Sequence, residues 1–152
     1  MRIFGFLIIA VSLLIVILSA FFGLSLPSAL KGLIDVASLI CVLGLVLGGC
    51  LIAYGSEWGV AFNPRPNREE AAIAVGVYKL AVRVSIGAGF IGVMFGLIAM
   101  LGAMGAGNGM DLGALTGGAA VALITALYGL VFAFCLFLPL QYYFQHQLDK
   151  DS

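Results

Sequence analysis

The sequence predicts an all-α integral membrane protein with four transmembrane helices, the third and fourth long and extending into the cytoplasm. Three observations carry this reading. First, 63% of the residues are hydrophobic and 9% charged, with a mean hydropathy of +1.21. A soluble domain of this size cannot hide that much apolar surface behind a polar shell. Second, the charges are clustered: there is none between Arg2 and Lys31, from Val36 to Tyr54, from Val84 to Met110, or from Leu112 to Leu148. Each run reaches the length of about 20 residues that spans a hydrocarbon core. Third, capping and turn residues fall at the ends of the runs, as the elements below show.

The first span is read over residues 3–26. A signal peptide would need a longer charged n-region than Met1 and Arg2 and a shorter apolar stretch, and a cut after Ala20 would put Leu18 where a small residue is wanted. It is therefore expected to stay as a helix, lipid-facing because Leu, Ile, Val and Phe lie nearly all round it. The second span, 36–54, opens after Asp35, a good N-cap, and closes near Gly55, a good C-cap. Trp58 beyond it suits an interface. The cytoplasmic loop, 55–83, contains the helix-free turn Asn63-Pro64-Arg65-Pro66-Asn67. Asn67 with Glu70 three residues on makes a capping-box pattern, so the third helix should start near Arg68. The 16 residues from Arg68 to Arg83 would then project about 24 Å beyond the membrane. The third span covers 84–104. A short glycine-rich outer loop leads to Asp111, which can cap the fourth helix. That span, 114–140, runs through Pro139, where a kink is expected, and out past Tyr142 and Tyr143 to the charged tail. The whole chain, 1–152, reads as a single four-helix membrane domain.

Orientation follows from the basic residues. Arg65, Arg68, Lys79 and Arg83 lie in the middle loop, Arg2 and Lys150 near the termini, and only Lys31 on the other side. The positive-inside rule puts both termini and the middle loop in the cytoplasm.

Conventional enzyme chemistry has no support. His146 has no catalytic companions, and no phosphate-cradling loop or metal cluster is visible. Cys41, Cys50 and Cys135 all fall inside spans without metal-site spacing and read as small packing residues. No internal repeat of half-helices suggests a solute transporter. No cofactor or metal is expected.

Small residues form stripes at steps of three and four. Helix three carries Ser85, Gly89, Gly92, Gly96, Ala99 and Ala103; helix four carries Gly118, Ala122, Thr125, Ala126, Gly129 and Ala133; helix two has Gly44 and Gly48. In lipid such faces let backbones approach closely. They could pack a single four-helix monomer, but their length favours helices gathered around a central partner or pore. No Asp, Glu, Lys, Arg or His lies within a span, so the chain could not carry protons by a titrating side chain of its own. The polar groups at depth are Thr125, Tyr128, Ser85, Ser12 and Ser19. Thr125 sits on the small face of helix four, although taken by itself it reads better as a hydroxyl bonded to its own helix four residues back.

Three blocks resemble the MotA/TolQ/ExbB proton channel family. Leu33-Ile34-Asp35-Val36-Ala37-Ser38-Leu39-Ile40-Cys41-Val42-Leu43-Gly44 is similar to the family's second-span entry. Gly89-Phe90-Ile91-Gly92-Val93-Met94-Phe95-Gly96-Leu97-Ile98-Ala99-Met100-Leu101 is similar to its third span. Leu112-Gly113-Ala114-Leu115, then Ala119 to Gly129 and the exit Leu136-Phe137-Leu138-Pro139, resemble its fourth. The blocks keep the family's order, span assignment and orientation.

The resemblance implies a ring-shaped homopentamer in the bacterial inner membrane, surrounding a dimeric single-span MotB/ExbD/TolR-like partner that supplies the ion-carrying Asp. It implies a stator-like rotary motor subunit, with Thr125, Ala126 and Val93 along the ion pathway. Gly89, Gly92, Gly96, Ala99, Gly118, Ala122 and Gly129 would form the inner, partner-packing surface. Two departures bear on this. Val93 and Ala126 stand where the family often has threonines, which favours protons over Na⁺ as the transported ion and leaves a non-conducting pentameric scaffold as the alternative. Only about 30 residues join helices two and three, so the large cytoplasmic domain of the flagellar members is missing. Arg65, Arg68, Glu69 and Glu70 remain for cytoplasmic coupling, or simply as a solvated helix start.

Overall fold

The computed structural model describes residues 7–15, 34–63, 66–105 and 112–150, and every element among them is helical. The chain divides into two units, Met1–Val36 and Ala37–Ser152. In the first, residues 7–15 form helix α1, with Leu7, Ile8, Val11, Leu14 and Ile15 exposed. The rest of the expected first span, with Lys31, lies outside the described residues.

Helix α2, Val36–Tyr54, starts immediately after Asp35, lies in the second unit from Ala37 on, and matches the expected second span. Its buried residues are Ser38, Val42, Val46 and Cys50, one face at steps of four. Gly55 follows in the left-handed region, φ +55°, which a side chain would disfavour. The chain does not pass into an open loop there. It tightens into the 3-10 segment Gly55–Phe62, which is long for that geometry. Tertiary contact supports it: the buried Tyr78 hydroxyl donates to the Ala61 carbonyl at 2.8 Å.

Helix α3 runs from Arg68 to Gly105. Its start is the expected capping box. Glu70 N–H donates to Asn67 Oδ1 at 2.8 Å, Asn67 N–H donates back to Glu70 Oε2 at 3.0 Å, and Asn63 Nδ2 adds a third bond to that carboxylate at 3.0 Å. Arg65, in the turn before it, lies outside the described residues, as do the outer loop and Asp111.

Helix α4 spans Leu112–Val131 and continues through the π-helical segment Phe132–Phe137 into α5, Leu138–Lys150. The expected disturbance at Pro139 is thus taken up in the turn before it. Proline has no N–H, and its ring crowds the carbonyl four residues back. The ladder widens instead, and Leu138 N–H bonds to the Ala133 carbonyl five residues back.

Val36–Phe62, Arg68–Gly102 and Leu115–Lys150 are each long and apolar enough to cross a membrane. Helices α3 and α4 make the tightest pairing of the unit. Towards the other end an aromatic cluster closes it. Tyr78 stacks on Phe144 at 5.6 Å between ring centroids and leans on Phe137, while Tyr143 meets Phe144 edge-on and accepts a hydrogen bond from Gln147 Nε2. Val46, Cys50, Ala61, Ala74, Val77 and Ala81 complete that core.

Candidate functional site

The glycines of α3 meet α4 in antiparallel register. A Cβ built on Gly89 would stand 3.3 Å from Ala126 Cα, one on Gly96 2.5 Å from Ala122 Cβ, and one on Gly92 would overlap the Thr125 methyl. From the other side, a Cβ on Gly118 would stand 2.8 Å from Met100 Cγ and one on Gly129 2.5 Å from the Ser85 carbonyl oxygen. The two stripes therefore interlock within one chain, and side chains would hold these backbones apart. A Cβ on Gly44 or Gly48 of α2 would meet nothing within 4 Å, whereas one on Gly49 would make ordinary contact with Val84 at 3.4 Å.

At the middle of this seam is Thr125, 4% exposed. Its methyl fills the gap over Gly92. Its hydroxyl donates to the Val121 carbonyl at 2.9 Å, four residues back, and lies 2.6 Å from Ser38 Oγ of α2. A hydroxyl has one proton to give. With that of Thr125 on Val121, Ser38 is the donor to Thr125, and the chain of bonds runs Ser38 to Thr125 to Val121. Two helices, α2 and α4, thus meet at one oxygen, while α3 meets the same residue at its methyl. Ser85, one crossing further along α3, is completely buried, and its Oγ has no hydrogen-bond partner among the described residues.

The remaining sequence-predicted residues are spread more widely. Ala126 and Ala122 line the seam beside Thr125, Val93 is half-buried, and Ala99 is exposed. Arg68 and Glu69 are exposed at the start of α3, and Glu70 is engaged in the cap. Ser38 did not stand out in the sequence. The signal was its spacing: a serine in step with Val42, Val46 and Cys50 puts a hydroxyl on the buried face of α2.

No group of three or more His, Cys, Asp or Glu that could hold a metal ion occurs among the described residues. What the site offers is hydroxyls and close-packed backbone in an apolar surround. It can position an oxygen, and it supplies no acid from α4 or from α3 beyond Arg83.

Such a bundle, apolar outside, small-faced between its helices and without an ionisable group at their crossing, defines an α-helical membrane protein whose interior polarity rests on hydroxyls. The model of the MotA/TolQ/ExbB proton channel family matches residues 66–152, which hold α3, α4 and α5. The match covers more than half of the chain, and the chain belongs to that family. A search of curated proteins found no match.

Proposed function

We propose that the chain is the ring-forming subunit of a stator-like, proton-driven rotary motor in the bacterial inner membrane. The observation that carries this is family membership over α3 to α5. Five copies would surround a dimeric single-span partner of the MotB, ExbD or TolR kind, whose Asp carries the ion past Thr125. The lack of any Asp, Glu, Lys or Arg from Val84 to Met110 and from Leu112 to Leu148 supports the division of labour. Val93 and Ala126 offer no oxygen that could replace the hydration of Na⁺, so the ion is H⁺.

In this reading the chain crosses the membrane four times with both termini in the cytoplasm. The first turns of α3 and the end of α5 stand beyond the bilayer, and Arg65, Arg68 and Glu69 are available for coupling there. The partner faces surfaces of α3 and α4 that the seam leaves free. Phe90, Phe95, Ile98 and Leu101 of α3 and Leu123 of α4 are each more than 60% exposed within one chain, and lipid, partner or further copies must cover them.

Native mass spectrometry of the gently solubilised complex tests the architecture. Five copies with two of a small single-span protein are expected, and a monomer or dimer would sink the reading. One observation favours a second reading, a non-conducting pentameric scaffold: the Thr125 hydroxyl is enclosed within its own chain and already bonded. Proton flux into vesicles holding the complex, abolished when the partner's Asp is replaced, excludes the scaffold.

A further inference from the structure

We infer that Ser38 of α2 is a positioning residue that sets the direction of the Thr125 hydroxyl. The inference rests on the reading of Thr125 as part of the proton path. Thr125 is held at three points. Its methyl is caught over Gly92, its proton goes to the Val121 carbonyl at 2.9 Å, and Ser38 Oγ approaches its oxygen at 2.6 Å. The first contact comes with the α3–α4 seam and the second from α4 itself, and together they fix the side-chain rotamer, which for threonine has few alternatives. They leave the oxygen with two lone pairs to present. Ser38 occupies one of them, so a single lone pair remains and its direction is set.

Ser38 and Thr125 are both buried, each 4% exposed, and a hydrogen bond in such surroundings is stiffer than the same bond at a surface. Ser38 is placed for this by its own helix. It lies at the head of the buried stripe Ser38, Val42, Val46, Cys50, and Asp35 stands just before the helix begins. A proton entering the seam from a partner's carboxylic acid would find one fixed acceptor at Thr125, and α2 would thereby influence a path built from α3 and α4.

The test uses the complex with its co-purifying single-span partner in liposomes. A potassium-diffusion potential drives protons, and a trapped pH-sensitive dye reports them. Ser38→Ala removes the donor, and Ser38→Cys keeps nearly the same shape with a much weaker one. With rings shown intact by native mass spectrometry, flux should fall about 3- to 10-fold in Ser38→Ala, the worth of one hydrogen bond. Ser38→Cys should lie between Ser38→Ala and the unaltered protein, and the pH at half-maximal flux should move in the same order. A role in packing alone would leave the cysteine variant and the pH profile unchanged, and that result overturns the inference. Equal flux in all three does so too, leaving the motor reading standing. Intact rings that pass no protons even with Ser38 present overturn the motor reading and the inference together.

Discussion

A single added methyl distinguishes the glycines of this chain. At Gly129 a Cβ would stand 2.5 Å from the Ser85 carbonyl oxygen and 2.9 Å from Gly89 Cα, both backbone atoms that cannot step aside. Gly129→Ala should therefore force α3 and α4 apart and cost about 1–3 kcal/mol, the usual range for overpacking. At Gly44 nothing lies within 4 Å, so Gly44→Ala should leave the monomer's stability unchanged or slightly raised, since alanine is the better helix former. Thermal unfolding in one detergent compares the two. Equal midpoints would mean that the α3–α4 seam is not as tight as described. Gly76 is intermediate in kind, because the clash there is with the Tyr54 hydroxyl, the far end of a side chain that can swing away.

Tyr78 shows the same logic for a hydrogen bond. Its hydroxyl gives the buried Ala61 carbonyl a partner at 2.8 Å, and Tyr78→Phe keeps the ring against Phe144 and Phe137 while deleting that bond. A loss of about 1 kcal/mol is expected, with faster amide exchange confined to Gly55–Phe62.

At the scale of the element, α3 depends on its first turn. The first turn of a helix leaves N–H groups without intrahelical partners, and the Asn67–Glu70 pair satisfies two of the N–H groups here, those of Glu70 and Asn67, reciprocally. Asn67→Ala should cost about 1 kcal/mol and appear as fraying of the first turn, read as loss of exchange protection at Glu70 and Ala71 with the rest of α3 unaffected. Uniform loss along α3 would show instead that the cap controls the whole helix.

The junction of α4 and α5 is set by Pro139. The π-helical turn carries a wider hydrogen-bond ring than an α-helical one, so it changes which residues of α5 face the bundle. That is how Phe144 comes to be 3% exposed beside Tyr78. Pro139→Ala allows Phe132–Phe137 to return to α-helical bonding and turns α5 relative to α4. Phe144 should then become accessible, with rapid labelling of a Phe144→Cys reporter only in the proline-free background. Labelling that does not depend on Pro139 would assign the π segment to packing rather than to proline.

For the whole molecule, the distribution of apolar residues is informative. The small faces of α3 and α4 are used up on one another, while Phe90, Phe95, Ile98 and Leu101 point away from the bundle. In the ring proposed above, such subunits would meet their neighbours and a central partner through bulky side chains and the glycines left open, Gly44, Gly87, Gly102 and Gly117 among them. Substituting Gly129 should therefore damage the monomer before the ring, and Gly87→Leu the ring before the monomer. Native mass spectrometry beside thermal unfolding separates the two.

What the sequence determined by itself rests on local and compositional physics. The charge-free runs gave the membrane class, because a bilayer core accepts few charges whatever the fold. Asp35, Gly55 and the Asn67–Glu70 pair marked where α2 began and ended and where α3 began, because capping is settled within a few residues. The small stripes were visible too, because helical periodicity can be read along one strand of text. What each stripe faces was decided only by the tertiary structure. Periodicity says which residues share a face and nothing about its neighbour, so Gly92 against Thr125 and Gly129 against Ser85 emerge only when α3 and α4 are laid together. Ser38 belongs to the same class: its hydroxyl meets Thr125 across 87 positions of sequence, a distance over which no local signal runs. The 3-10 run after Gly55 completes the list, since it is held by packing against propensity.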